Sequence, residues 1–167
     1  MSRFTSTKAQ VWSLDIIIAM IVFVAALILF YQQSINLLDE RVQQREDILL
    51  DAQIISSYLV SSGYPQNWTV SNVTIIGLTD GKMRLQESKV LQFQSLITTN
   101  YSVSKKLLST NHHYLITFED KNNNSVSVSG ITQLGNNYTA AKPQQLIKVV
   151  RFVNYNSSII RMGVTVW

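Results

Sequence analysis

The chain has 167 residues, 46% of them hydrophobic and 14% charged, with a formal net charge of +4 and no cysteine. That length leaves room for one small globular core beside a single membrane helix, and excludes two domains with separate cores. The positive charge is dispersed, with Lys105-Lys106 the one adjacent pair, so the composition carries no basic block of the kind that nucleic acid selects, and the missing cysteines exclude a disulfide frame.

From Ile16 to Phe30 no side chain is polar. With Val11 to Leu14 and Tyr31 the apolar segment reaches about 20 residues, enough at ~1.5 Å rise per residue to span a ~30 Å hydrocarbon core. Its end, Leu27 to Tyr31, offers no small-residue cleavage site, so it reads as a retained span over about 11–31 rather than a secretory signal. Arg3, Lys8 and the initiator amine precede it with no acid among them, and Asp39 and Glu40 are the first charges after it. This asymmetry predicts a cytoplasmic N-terminus and an outward-facing remainder.

The apolar run passes without a break into a second pattern, in which Ile35, Leu38, Val42, Leu49, Ala52, Ile55 and Leu59 recur at threes and fours with Arg45 in the same stripe. That is an amphipathic helix. No Pro or Gly occurs from Val11 to Ser62, and Gly63-Tyr64-Pro65 supplies the stop. One helix over 10–62, roughly 75 Å long, is expected. Its first half is apolar all round and its second half on one face only.

The head is expected over 66–167. Trp68 to Leu78 alternates around Val70, Val73 and Ile75 as a strand would, and Asp80-Gly81 marks a turn. Ser88 is placed to cap a helix carrying Val90, Leu91, Phe93, Leu96 and Ile97, with a second short helical stretch through Val103, Leu107 and Leu108. Tyr114 to Phe118 reads as a strand, Asn122 to Asn124 as a turn and Val126 to Val128 as its hairpin partner, with Leu134 to Pro143 a loop. Leu146 to Tyr155 and Ile159 to Val166 form a hairpin across Asn156-Ser157-Ser158, and Trp167 pins the last strand. The predicted class is α+β: a long N-terminal helix packed on a small, mainly antiparallel sheet.

Six asparagines, Asn67, Asn72, Asn100, Asn123, Asn137 and Asn156, stand in the Asn-X-Ser/Thr glycosylation pattern, all after the apolar run. With twelve asparagines and Ser plus Thr near a fifth of the chain, roughly two such matches arise by chance. Two readings stand: acceptor sites for N-glycans on an outward head, or an Asn/Ser/Thr-rich β surface.

Chemistry-bearing motifs are absent: no Gly-rich phosphate loop, no HExxH and no GxSxG. His112 and His113 are adjacent on a predicted strand and so face opposite ways, which argues against shared metal ligation. The head's acids are sparse, namely Asp80, Glu87, Glu119 and Asp120. Tyr64, Trp68, Phe93, Tyr101 and Tyr114 are assigned to the core. No enzymatic activity, catalytic residue, cofactor or metal is expected.

The short leader Met1 to Ala9 with its two basic residues, the Lys8-Ala9-Gln10 junction, the apolar segment directly after it and the long helix entering a sequon-bearing head together resemble the precursor of an archaeal type IV pilin or pilin-like protein with a class III signal peptide. The resemblance covers about the first 60 residues, and the head in outline. It implies a leader over 1–9 cut between Ala9 and Gln10 by a membrane prepilin peptidase, which lowers the formal charge from +4 to +2 by removing Arg3 and Lys8. It implies a structural subunit, pilin or minor pilin, stored in the membrane. The subunit would then be extracted by an assembly ATPase and a membrane platform into a filament held by the 11–31 helices of its own copies or other pilins. An oligosaccharyltransferase would glycosylate the head, and nucleic acid is not an expected partner. Asp15 stands near where pilins carry an assembly carboxylate; bacterial ones place a glutamate one residue nearer the cut. Asp15 then either meets the amine of Gln10 on a neighbouring subunit or sits at the headgroup level, since a carboxylate deep in the bilayer costs on the order of 3 kcal/mol. The alternative to a filament subunit is a non-polymerising, single-pass, signal-anchored surface binding protein.

Overall fold

A computed structural model describes residues 6–167, and within them the side chains outside 6–14, 36–42 and 140–141. The chain is α+β and divides into two compact units, Met1–Gln44 and Arg45–Trp167. In order it forms α1 (Ser6–Val60), α2 (Glu87–Leu107), β1 (Tyr114–Glu119), β2 (Gln133–Gly135), α3 (Tyr138–Ala141), β3 (Ile147–Tyr155) and β4 (Ser158–Val166).

The expected long helix is present. Its last turns, from Arg45, belong to the head unit because Ile48, Ala52, Ile55 and Leu59 lie in the head's core, each 2% exposed or less. The phase of that stripe differs from the sequence expectation. Leu49 is 39% exposed and Ile48 takes the buried position; spacings of 4, 3 and 4 from Ile48 to Leu59 keep one face of a 3.6-residue helix in line. Leu38 and Val42 lie outside the described side chains.

Two side chains that are distant in sequence finish α1. The Thr79 hydroxyl donates to the Val60 and Ser61 carbonyls, and Lys89 Nζ donates to the carbonyls of Ser62 (2.8 Å) and Thr79 (2.8 Å). The carbonyls left over at a helix C-terminus need donors, and a cation there also complements the helix dipole. Burial holds the Lys89 ammonium below its ordinary pKa. Gly63, at φ +71°, follows this cap where a Cβ would stand 2.6 Å from the Ile75 carbonyl oxygen, so the chain can turn back only with glycine there.

The 68–78 segment is not a strand. It is a looped path with isolated bridges, Tyr64 to Ile75 and Thr79 to Leu85. Trp68 drops into the core and donates its indole N–H to the Gly77 carbonyl at 2.9 Å, while Asn72 Oδ1 accepts from Thr69 N at 2.7 Å and closes a turn. A short alternation of apolar residues was outweighed by one large ring seeking burial and by local Asn chemistry.

Helix α2 begins at Glu87 with Gln86, not Ser88, in the N-cap position, and no side chain caps it. The two expected helical stretches form one span kinked at Asn100 (φ −156°, ψ 90°), whose side chain accepts from Val103 N at 3.1 Å and so caps the second part.

The four strands form one antiparallel sheet in the order β2-β1-β4-β3. The β3–β4 hairpin is as expected, except that Ser158 already pairs with Tyr155 and the turn is Asn156-Ser157, both at positive φ. Two left-handed residues between strands suit the right-handed twist of the ladder. Two expectations fail at the other edge. Residues 126–128 form no strand: Val126 N donates to the Phe118 carbonyl at 2.8 Å beside an isolated Glu119–Ser125 bridge, and Val128 bridges only to Ile131, so the strand that pairs with β1 on that side is instead β2, most of it within the stretch read as loop, which also holds α3. A three-residue strand is too short to show periodicity.

One face of the sheet is the core. Tyr114, Ile116 and Phe118 of β1 alternate inward with Ile160, Met162, Val164 and Val166 of β4, against Val90, Phe93 and Leu96 of α2 and the α1 stripe. The backbone pairing continues one step past β4 through Trp167, which exchanges hydrogen bonds with His113 at 3.0 Å each way and so ties down the end of the last strand.

Candidate functional site

Asp15–Ile35 is a 21-residue stretch of α1 long and apolar enough to cross a membrane, and none of it is buried. Ile16, Met20, Phe23 and Leu27 are each at least half exposed, and so are Ile17, Ile21, Ile28 and Phe30. These residues cover the whole helical circumference, so one supporting surface cannot hide them. Near the end of the run the Ser34 hydroxyl donates back to the Phe30 carbonyl at 2.9 Å. Asp15 stands exposed at the N-terminal end of the stretch. The leader residues Met1 to Thr5 lie outside the described residues; Ala9 and Gln10 fall within the α1 span, but their side chains are not described.

All six sequon asparagines are exposed, and none lies in a strand. Asn67 and Asn72 sit in the 66–73 turns, Asn100 at the α2 kink, Asn123 in the turn after β1, Asn137 at the N-cap of α3 and Asn156 in the β3–β4 turn. At Asn72, Asn100, Asn123 and Asn137 it is the side-chain carbonyl that is engaged, by Thr69, Val103, Arg161 and Thr139 respectively. The pattern of turn formation and the glycosylation pattern select the same residue at these positions because asparagine both tolerates turns and carries an acceptor oxygen.

The two histidines precede β1 rather than lying on it, and they do diverge. His112 Nδ1 meets Asp51 Oδ2 at 2.8 Å, and the Thr110 hydroxyl donates to the same oxygen. With the hydroxyl turned to the carboxylate and not to the ring, the trio lacks the nucleophile–base hydrogen bond that activates a hydroxyl; it ties α1 to the loop before β1. The 61-residue separation of Asp51 and His112 left no local signal for this pair. His113 stacks between Tyr101 and Trp167, and burial, with Lys105 and His112 nearby, holds its pKa below the ordinary histidine value.

Of the sparse acids, Glu119 is paired to Lys148 Nζ at 2.7 Å, which lowers its pKa. Glu87 accepts from the hydroxyls of Ser129 and Tyr155, at 2.7 Å each, and is lowered by them. Asp120 closes its own turn by accepting from Asn122 N and Asn124 N, at 2.7 and 2.9 Å. Arg161 braces that turn by donating to the Asp120 carbonyl at 2.7 Å and to the Asn123 side chain. Each of these carboxylates is thus engaged in holding a loop or strand. Among the described residues no group of three or more His, Asp or Glu side chains could hold a metal. An open groove of about 930 Å³ lies between that turn and the β3–β4 turn, lined by Phe152, Ile159, Ile160, Val126 and Arg161, with Asp120 its only acid.

Of the rings assigned to the core, Trp68, Phe93 and Tyr114 are buried and Tyr101 is half-buried. Tyr64 is a correction: it is 65% exposed, because its role is backbone pairing with Ile75 and Thr74 at the bridge.

No family model, curated protein or solved structure matches the chain.

Proposed function

We propose that this chain is a structural subunit, pilin or minor-pilin-like, of an archaeal type IV filament. The observation that carries the reading is a 21-residue helical stretch exposed on every side, joined to a head whose own core is complete. Such a stretch needs an apolar surrounding all round. Lipid tails and packed apolar helices are solvents of similar polarity, so the same surface can be stored in a bilayer and then transferred to a helix bundle without meeting water. With ~20 apolar side chains at ~1.5 to 3 kcal/mol each, removal from water holds the segment in either setting without covalent links. The Lys8-Ala9-Gln10 junction supplies the prepilin peptidase cut, and Asp15 the carboxylate that meets the new amine of Gln10. The sequon asparagines display glycans outward, and the head, N-terminus cytoplasmic, stands outside the cell.

Intact-mass measurement and N-terminal sequencing of the native protein test this. A chain beginning at Gln10 and recovered in surface filaments is the expected result. A chain that keeps Met1 to Ala9 and stays monomeric in the membrane overturns the filament reading in favour of a signal-anchored surface protein.

A further inference from the structure

Four rings form a continuous row on the head. Tyr101 stacks on His113 (centroids 5.9 Å apart, planes 6° apart), His113 on Trp167 (6.1 Å, 26°), and Trp167 meets the edge of Tyr138 (5.8 Å, 74°). Unlike Phe93 and Tyr114 beneath it, the row reaches the surface: His113 and Tyr138 are exposed, and Tyr101 and Trp167 half-buried.

The two rings at the ends of this row directly follow acceptor asparagines, in Asn100-Tyr101-Ser102 and Asn137-Tyr138-Thr139. In both, the carboxamide oxygen is tied down, by Val103 N at 3.1 Å and by Thr139 N at 2.9 Å. Those bonds hold the side chain through its oxygen and leave Nδ2, the atom that carries a sugar, uninvolved in them. The other four sequons lack this setting. Trp68, after Asn67, is spent in the core, and Asn72, Asn123 and Asn156 are followed by Val73, Asn124 and Ser157.

Resting on the reading of the head as glycosylated, we propose that the row is a seat for the chain's own N-glycans, on which the innermost sugars at Asn100 and Asn137 pack their C–H faces. The occupant follows from the two covalent attachment points at the row's ends. Attachment forms a bond between Nδ2 and the sugar's anomeric carbon, breaks that carbon's bond to the phosphate of a lipid-linked oligosaccharide, and releases the Nδ2 proton. Aromatic rings present large, weakly negative faces to which the positive C–H groups of a pyranose are matched, and their rigidity makes the contact cheap in entropy. The sugars then shield the row from water and brace the α2 kink and α3 against β1 and the end of β4.

The test uses the full chain in detergent, made with and without N-glycosylation, with glycopeptide mass spectrometry for occupancy and the head's Tm by near-ultraviolet circular dichroism. Ser102→Ala and Thr139→Ala remove the two sequons while keeping both asparagines, Tyr138→Ala keeps its sequon but deletes a ring, and Thr74→Ala removes the Asn72 sequon as control. Expected are occupied Asn100 and Asn137, and a Tm loss about 2–4 °C larger in the glycosylated than in the unglycosylated form for the first three variants and equal in both for Thr74→Ala. Occupied sites with no such excess loss overturn the seat and leave the glycosylated head standing. Sugars found only on other sequons do the same, and six empty sequons overturn both.

Discussion

Phe23 and Phe30 in the apolar stretch are 63% and 72% exposed, whereas Phe93 and Phe118 in the head are fully buried. The same residue type stands in two environments within one chain, and the difference lies in what the neighbouring sequence can supply. In the head, β-strand alternation and one helical face direct apolar side chains to a single side, so sheet and helices satisfy one another. Between Asp15 and Ile35 apolar residues point in every direction, and no single surface can satisfy them. The head buries its apolar side chains among its own residues, whereas none of the Asp15–Ile35 stretch is buried.

The sharpest way to break this comparison is a charge at the middle of the stretch. Val22→Arg is expected to cost about 3 kcal/mol of membrane insertion, shifting the protein out of the membrane fraction while the head's Tm stays unchanged; a Tm that falls with it would mean that the two units are not independent. Next in size is the phase of the stripe. Ile48→Ala is expected to lower head stability by about 2 kcal/mol, and Leu49→Ala by less than about 0.5 kcal/mol, as read from urea unfolding; equal losses would contradict the buried face described. The smallest effect is acid sensitivity. The His113 pKa is lowered in the folded head, so its neutral form is favoured by folding, and its contribution is present above the ordinary histidine value and lost as pH falls through it toward the folded one. Tm measured between pH 7.5 and 5.5 should fall less in His113→Phe than in the parent; an identical fall would remove His113 as a cause.

Much of the head's architecture was legible because it rests on periodicity and punctuation. Tyr114 to Phe118, the β3–β4 hairpin and the stop at Gly63 each announce themselves through local chemistry that tertiary contacts then reinforce. What was not legible depends on partners far along the chain. The Lys89 cap of α1, the Asp51–His112 pair and the pairing of β1 with the three residues of β2 carry no local pattern. Trp68 shows the opposite conflict, a strand-like alternation yielding to burial of one ring. Of the candidate site, the sequence singled out the six asparagines, but not which of them flank aromatic rings that meet in space.

By itself the sequence determined that this chain carries an apolar helix with no preferred face, continuing into a helix with one, and that an α+β unit follows, because hydrophobic period and uninterrupted length are properties of consecutive residues. Only the tertiary structure decided which residues of the second half are buried, which short segment completes the sheet, and that Tyr101, His113, Trp167 and Tyr138 line up, because these depend on packing between segments brought together from opposite ends of the head.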